Sequence, residues 1–506
     1  MSIAFVGGRR ASRQGVAQQR LAWLAIAGLG LLFGLPLGVY LSTLAPTIYN
    51  LDSPDLTAAA YTLGIAHAPG YPLYTLLGWL FSHAVPLGDV GYRLNLMSAL
   101  LGAGAVYIVY QVGRQLTGQV LPSVAAALML AFSYHFWADS LVAEVYTLDA
   151  LLLAGLLFIL VRWSRSGDGR LLFAASFLLG LGLANRTTTA LFVPAIAAYL
   201  WLSPGPARRA AWLAVPAGLG LGLLPYLYVP LAYAASPTYV WSDFYGEASR
   251  DLTSLGGFWW LVSGAAHQTL AGHFGLSEWL PALADYGGWL TRGFLGVGLA
   301  LGLVGIWQQA RTARRELVLL AGIFLPQVLF YTSYAADDRE FMFLPTYVIW
   351  ALWTAVGIAA VGRMLGKAAR DVKLPARVWA AALLLPLVAL VVNFSLVDLS
   401  ADRRSREDAS QLLALAEPGA VIVGRWIDVA PMEYLQVVEG QRRDVTLIHR
   451  GTLDRAGLVE LARSQAGERP FYLVGPPAAL AGDFDLVPAA SGYRVYPKEA
   501  GGPGHS

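Results

Sequence analysis

The sequence predicts a polytopic α-helical membrane protein that ends in a small α/β domain. Three observations carry that expectation. The chain of 506 residues is 57% hydrophobic and only 13% charged, with a mean hydropathy of +0.55; a soluble chain carries about a quarter charged residues. Apolar runs close to the ~20 residues that cross hydrocarbon recur through the first 398 positions. After Leu399 the segment ADRRSRED opens a stretch of different character, in which helical periodicity alternates with short β-branched runs. The net charge of +3 is too small to argue for nucleic acid, and zero Cys excludes disulfides, thiolate metal sites and cysteine nucleophiles. The 16 Trp and 24 Tyr suit helix ends at headgroup depth.

The runs fall at roughly 21–45, 93–113, 121–138, 142–162, 210–233, 289–307, 316–334, 341–361 and 377–398. Leu171 to Leu202 is interrupted by Asn185-Arg186-Thr187 and reads as two short spans or a re-entrant hairpin. The expected total is about eleven crossings. The first run follows Arg9, Arg10, Arg13 and Arg20 without a small-residue cleavage site, so it reads as a retained anchor. Lys and Arg set the orientation. The N-terminus and the loops near 114, 162–170, 208–209, 311–315 and 363–377 hold eighteen, against five on the opposite side: Arg93, Arg186, Arg250, Arg292 and Arg339. The expected N-terminus is therefore cytoplasmic, loops 46–92 and 234–288 face outward, and a tail domain, 399–506, lies outside a membrane domain, 1–398. Together with the lack of Cys, this fits the inner membrane of a bacterium.

In the tail, helical patterns at 405–416, 429–438 and 453–466 alternate with AVIV (420–423), DVTLI (444–448) and FYLV (471–474). That alternation predicts a partly parallel sheet in a unit large enough to fold alone. No glycine-rich phosphate fingerprint is present, which argues against nucleotide binding. The closing AGGPGHS reads as disordered.

Chemistry concentrates in Asn50 to Tyr74, NLDSPDLTAAAYTLGIAHAPGYPLY, just after the first apolar run. Ser53-Pro54-Asp55 reads as a helix start, with Ser53 as cap and proline in the first turn. The helix should stop at Gly64. Asp52 then sits before a helix N-terminus, whose partial positive charge favours an ionised carboxylate or holds a phosphate. Asp55 is either a second catalytic carboxylate or a first-turn capping group. His67 through Pro72 should turn the chain back to the membrane, with Tyr71 and Tyr74 at the interface; His67 lines a pocket or simply bonds the loop. No His or carboxylate spacing marks a metal site, so no metal or other cofactor is expected.

Further polar residues gather at outer span ends: Arg93 and Asn95, Trp137, Asp139 and Glu144, Asn185 and Arg186, and Asp337 to Glu340. Charges at membrane depth are costly and face a cavity or a partner. Arg186 stands out, lying in an apolar stretch with no acidic neighbour in sequence.

DSPDLTAAAYTLGIAHAPGYPLYTLLGWLF followed by YRLNLMSALLGA resembles the DUF2723 family of membrane proteins, which includes the TMEM260-type protein O-mannosyltransferases and belongs with the GT-C glycosyltransferases. Similar stretches are FWADSLVAEVYTLDALLLA, LGLANRTTTALFVP, LLPYLYVPL, FWWLVSG, DDREFMFLP and NFSLVDLSADRRSRE. Where the family reads Asp-Ser-Gly-Glu and His-Pro-Pro-Gly-Tyr-Pro, this chain has Pro54 and Asp55, and Ala68 in place of the first proline; Asp52, His67, Gly70 and Tyr71 match. The resemblance implies a GT-C fold, a polyprenyl-phosphate sugar donor, an extracytoplasmic site and inverting transfer to a protein or glycan acceptor. Asp52 is then expected as general base, Arg186, Arg339 and Arg93 on the donor phosphate, and His67, Tyr71, Tyr74, Glu144 and Asn185 around sugar and acceptor. The aromatic loop 236–288 either covers the donor, holds the acceptor or lies on the membrane. A transporter or flippase of a lipid-linked or anionic substrate is the rival reading; it should show repeated halves, and no repeat is found. A non-catalytic envelope assembly protein is a second rival.

Overall fold

The structure is a computed structural model and describes residues 28, 30–203, 208–241, 250–265, 272, 275–336 and 338–498. Expectations on Arg9, Arg10, Arg13, Arg20, Asp337, AGGPGHS and parts of the aromatic loop 236–288 fall outside these residues.

Six described helices are long and apolar enough to cross a membrane: Val90–Thr117, Tyr146–Ser166, Leu213–Ala234, Arg314–Thr332, Leu344–Ala369 and Leu374–Val397. A pair bent by 103°, Ser277–Gly293 and Val297–Thr312, raises the number to seven. Four apolar helices are shorter: Gly30–Thr43, Val120–Ala131, Gly169–Asn185 and Thr187–Leu202. The expected eleven full crossings are therefore not confirmed, and the reason is local backbone. The run 121–138 breaks at Phe132 and Ser133 before a short helix, Tyr134–Asp139. The run 289–307 breaks where Leu295 and Gly296 take φ of 56° and 65°, a left-handed conformation that no α-helix continues through. The stretch 171–202 forms two helices that meet at Arg186, which is extended at φ −144° and ψ 126°.

Between the first two membrane helices lie two helices, α1 (Ser53–Thr62) and α2 (Pro72–Ala84), followed by α3 (Val90–Thr117). After residue 399 come α4 (Arg404–Leu415), β1 (Val421–Gly424), α5 (Trp426–Val437), β2 (Thr446–His449), α6 (Arg455–Gln465), β3 (Phe471–Val474), β4 (Phe484–Ala489) and β5 (Gly492–Pro497). The strands form one sheet in the order β2-β1-β3-β5-β4, with β1 parallel to β2 and β3, and β5 antiparallel to β3 and β4. The β4–β5 hairpin is an addition to the expected elements.

Side chains alternate across a strand, and here the two faces join different cores. Val421, Val423, Phe471, Leu473 and Val495 pack on Leu458 and Ala462 of α6. Ile422, Leu447, Tyr472 and Val474 join the same buried cluster as Leu44, Ile48 and Leu94 of the membrane part, through Leu412, Tyr434 and Leu435. The tail is thus built onto the membrane part by a continuous apolar core. Arg406 adds ion pairs to Glu439 and, at 3.8 Å, to Asp89, the N-cap of α3.

Candidate active site

α1 begins directly after Asp52, with Pro54 in its first turn. Ser53 does not cap it as expected; its hydroxyl instead accepts from the Tyr49 N–H at 3.3 Å. The helix ends at Leu63, which adopts φ 52°. Gly64 is required by space: a Cβ there would lie 2.4 Å from the Tyr239 carbonyl oxygen. That crowding reflects a short parallel bridge in which Ile65 N–H donates to Tyr239 and Trp241 N–H donates to Ile65. His67 follows, then a cis Ala68–Pro69 bond, Gly70 at φ 87° and Tyr71 at φ 41° before α2.

This path puts His67 between two carboxylates twelve and fifteen residues upstream. Its Nδ1 lies 2.5 Å from Asp55 Oδ2 and its Nε2 3.2 Å from Asp52 Oδ2. Asp55 is fully buried, whereas the Asp52 side chain keeps 25% of its surface exposed. Asp55 is held on both oxygens, by Tyr239 Oη at 2.6 Å on Oδ1 and by the His67 N–H at 3.2 Å on Oδ2. It is therefore the anchored end of an Asp-His-Asp line, and Asp52 is the end that meets solvent. Burial opposes a charge on His67, but Asp52, Tyr71 and Asp55 outweigh it and hold the imidazole well above its usual value.

The tail domain reaches into this site. Trp426, at the start of α5, donates its indole N–H to Asp52 Oδ1 at 3.2 Å, and its ring lies edge-on to His67 at 5.8 Å. Tyr71 and Trp241 approach the same imidazole edge-on at 5.0 and 6.5 Å. Behind Trp426, His449 Nε2 meets Glu433 Oε1 at 2.9 Å in full burial. Trp426 and Tyr239 were not among the expected site residues. Trp426 lies 374 positions from Asp52, and no local pattern announces the pairing. The aromatic loop does contribute cover through Trp241, while Trp259 of the helix Leu255–Val262 is exposed.

Tyr71 and Tyr74 are buried, so the expected interfacial placement is corrected: α2 packs its first turn inward. On the membrane side, Asp338 accepts from Tyr146 Oη at 3.2 Å. Burial, and then the Asp52 charge, push the Asp338 carboxyl up to about 7. Glu144 and Asp139 are buried with Oε2 and Oδ2 lacking a hydrogen-bond partner among the described residues. Asn185 donates to the Val145 carbonyl at 3.2 Å, its own oxygen unpartnered among the described residues.

The three arginines have distinct settings. Arg186 does have an acidic neighbour, in space: Nη1 lies 3.2 Å from Asp149, Nη2 donates to Tyr331 Oη at 2.6 Å, and the guanidinium stacks 4.5 Å from the Tyr146 ring centroid. Arg339 sits 3.6 Å from Asp285 and over Trp289. Arg93 binds the carbonyls of Ser82, Leu87 and Gly88 through all three nitrogens and so ties α2 to α3. Among the described residues no group of three or more His, Asp or Glu has the geometry to hold a metal ion.

Residues 52–206 match the family described as the protein O-mannosyl-transferase TMEM260 N-terminal domain. The protein O-mannosyl-transferase TMEM260 of Mus musculus is 25% identical over 451 residues, covering 84% of this chain and 62% of the relative. The chain thus spans less than two thirds of that relative's length. Among solved structures, ArnT from Cupriavidus metallidurans bound to undecaprenyl phosphate superposes with a TM-score of 0.60 at 13% identity, over 96% of this chain and 99% of that one. The Archaeoglobus fulgidus oligosaccharyltransferase gives 0.54 at 14% identity, over 88% and 69%. The Asp52 to Tyr71 loop thus stands at the head of a segment similar to the TMEM260 N-terminal domain, and the chain as a whole has the fold of the GT-C glycosyltransferase structures.

Proposed function

We propose that this protein is a membrane glycosyltransferase that moves a sugar from a polyprenyl-phosphate carrier to an acceptor hydroxyl, a protein Ser or Thr, with inversion. The observation that carries the reading is the Asp52-His67-Asp55 line, whose solvent-facing end is a carboxylate fixed on both oxygens. The acceptor oxygen attacks the anomeric carbon as the bond from that carbon to the phosphate oxygen breaks. Its proton passes to Asp52, and the electron pair leaves with the lipid phosphate. The leaving group is a stable anion and needs charge stabilisation rather than a proton. The His67 imidazolium both orients Asp52 and adds positive charge there; Arg186 and Arg339 are assigned to the phosphate, and Tyr71, Tyr74, Glu144 and Asn185 to the sugar pocket.

Two likenesses support the donor and acceptor classes: the name of the mouse relative and the undecaprenyl phosphate held by the ArnT structure. The Lys and Arg asymmetry supports a site on the extracytoplasmic side, in our reading that of a bacterial inner membrane with the N-terminus inside. The test is Asp52→Asn in reconstituted vesicles. We expect donor binding to persist and transfer to fall by ~10²–10⁴, the usual share of a general base. Turnover close to wild type would remove Asp52 from that role.

A further inference from the structure

A cavity of about 380 Å³ lies between the first outer loop and the tail domain, within the 300–1,000 Å³ usual for ligand sites. Tyr49 and Asn50 form one wall; α4 and the first turns of α5 form the other, with Val474 of β3 at the back. The cavity adjoins the Asp52 carboxylate along the chain: Asn50 is two residues before Asp52, and Arg425 of the cavity precedes Trp426, whose indole N–H bonds Asp52.

We propose that this cavity is the acceptor groove and takes an extended polypeptide segment that presents a serine or threonine to Asp52. The inference rests on the transferase reading and adds where the acceptor segment lies and which flanking charge it favours. The lining is mixed in the way a peptide requires. Tyr49, Met432 and Val474 supply apolar surface, and two Asp-Arg pairs share the lining, Asp402 with Arg404 and Asp428 with Arg425. Such pairs offer acceptors and donors to backbone amides. Asp408, exposed and without an ion pair among the described residues, adds a negative charge at the edge, so Lys or Arg beside the acceptor hydroxyl is favoured. A carbohydrate groove would present several aromatic faces for stacking, whereas among the described residues Tyr49 is the one aromatic side chain in this lining.

The test uses the full-length protein in vesicles with a polyprenyl-phosphate sugar and short synthetic peptides carrying one threonine flanked by Lys or by Glu. Ser405→Trp fills the groove from α4. We expect it to cut transfer to the Lys-flanked peptide by about tenfold or more, equivalent to about 1.4 kcal/mol, with donor affinity retained. Asp408→Arg, on an exposed side chain, should shift preference from the Lys-flanked to the Glu-flanked peptide by about threefold, the scale of an exposed ion pair, and it decides the matter if Ser405→Trp fails to fold. Undiminished transfer by Ser405→Trp together with unchanged preference in Asp408→Arg overturns the groove and leaves the transferase reading standing. Transfer by the wild type to a glycan but to neither peptide overturns the polypeptide assignment. Failure of the wild type to move sugar to any acceptor removes the transferase reading, and this inference with it.

Discussion

The carboxylate loop and the buried arginine site handle charge in opposite ways. Around His67 the charges are assembled within sixteen residues of chain, and one member, Asp52, is left open to solvent. Around Arg186 the charge is closed: Asp149, Tyr331 and Tyr146 come from two other membrane helices and occupy the guanidinium from several sides. A charge kept available reads as chemistry, while a charge neutralised on all sides first secures packing. If Arg186 also meets the donor phosphate, it does so as an already oriented group.

The largest effect that sharpens this contrast is expected from Arg186→Met. It leaves Asp149 as an unpaired buried carboxylate and should lower stability by about 3–5 kcal/mol, read as thermal unfolding in detergent. Adding Asp149→Leu should recover most of the loss. An Arg186→Met protein as stable as wild type would break the contrast and free the arginine for the phosphate alone. Tyr239→Phe removes a donor from fully buried Asp55, with an expected cost of about 1–3 kcal/mol and a fall in kcat as His67 loses its anchor. Trp426→Phe keeps an aromatic ring beside His67 but removes one hydrogen bond to Asp52. We expect about 0.5–1.5 kcal/mol, read as a few-fold loss in kcat with donor affinity unchanged.

The smallest effects concern pH. The value of His67 is raised above 6.5 in the fold, so its ion pairing contributes in full below pH 6.5 and is lost as pH climbs through the raised value. Asp338 moves from 3.8 to about 7. Across that window the folded chain keeps a proton that the unfolded chain has released, so stability falls as pH rises. Unfolding temperatures measured from pH 4 to 9 should show both slopes. Asp338→Asn should flatten the acid-side slope, and His67→Gln the alkaline one.

Sequence patterning made the membrane architecture, the loop and three of the five strands legible, because hydropathy, caps and β-branched runs act over a few residues. The number of full crossings was not legible, since breaks at Phe132 and at Leu295-Gly296 sit inside unbroken apolar runs. Asp52 and His67 carry local signals, an aspartate before a proline-started helix and a histidine in a proline-glycine turn. Tyr239, Trp426 and Asp149 do not: each becomes a partner only when distant segments meet. The β4–β5 hairpin left a weak trace, the alternation of Tyr493 and Val495, masked by the Pro488 and Pro497 at its strand ends.

The seating of Trp426 on Asp52 also fixes a timetable. A ribosome makes the Asp52 loop long before α5, 374 positions ahead of Trp426, so the carboxylate is born without its roof. The indole can arrive only once α5 has been made, and its part of the tail shares a buried core with Leu44 and Ile48. Until then the carboxylate has one fixed hydrogen bond fewer, so the geometry of the loop is completed by a segment made hundreds of residues later.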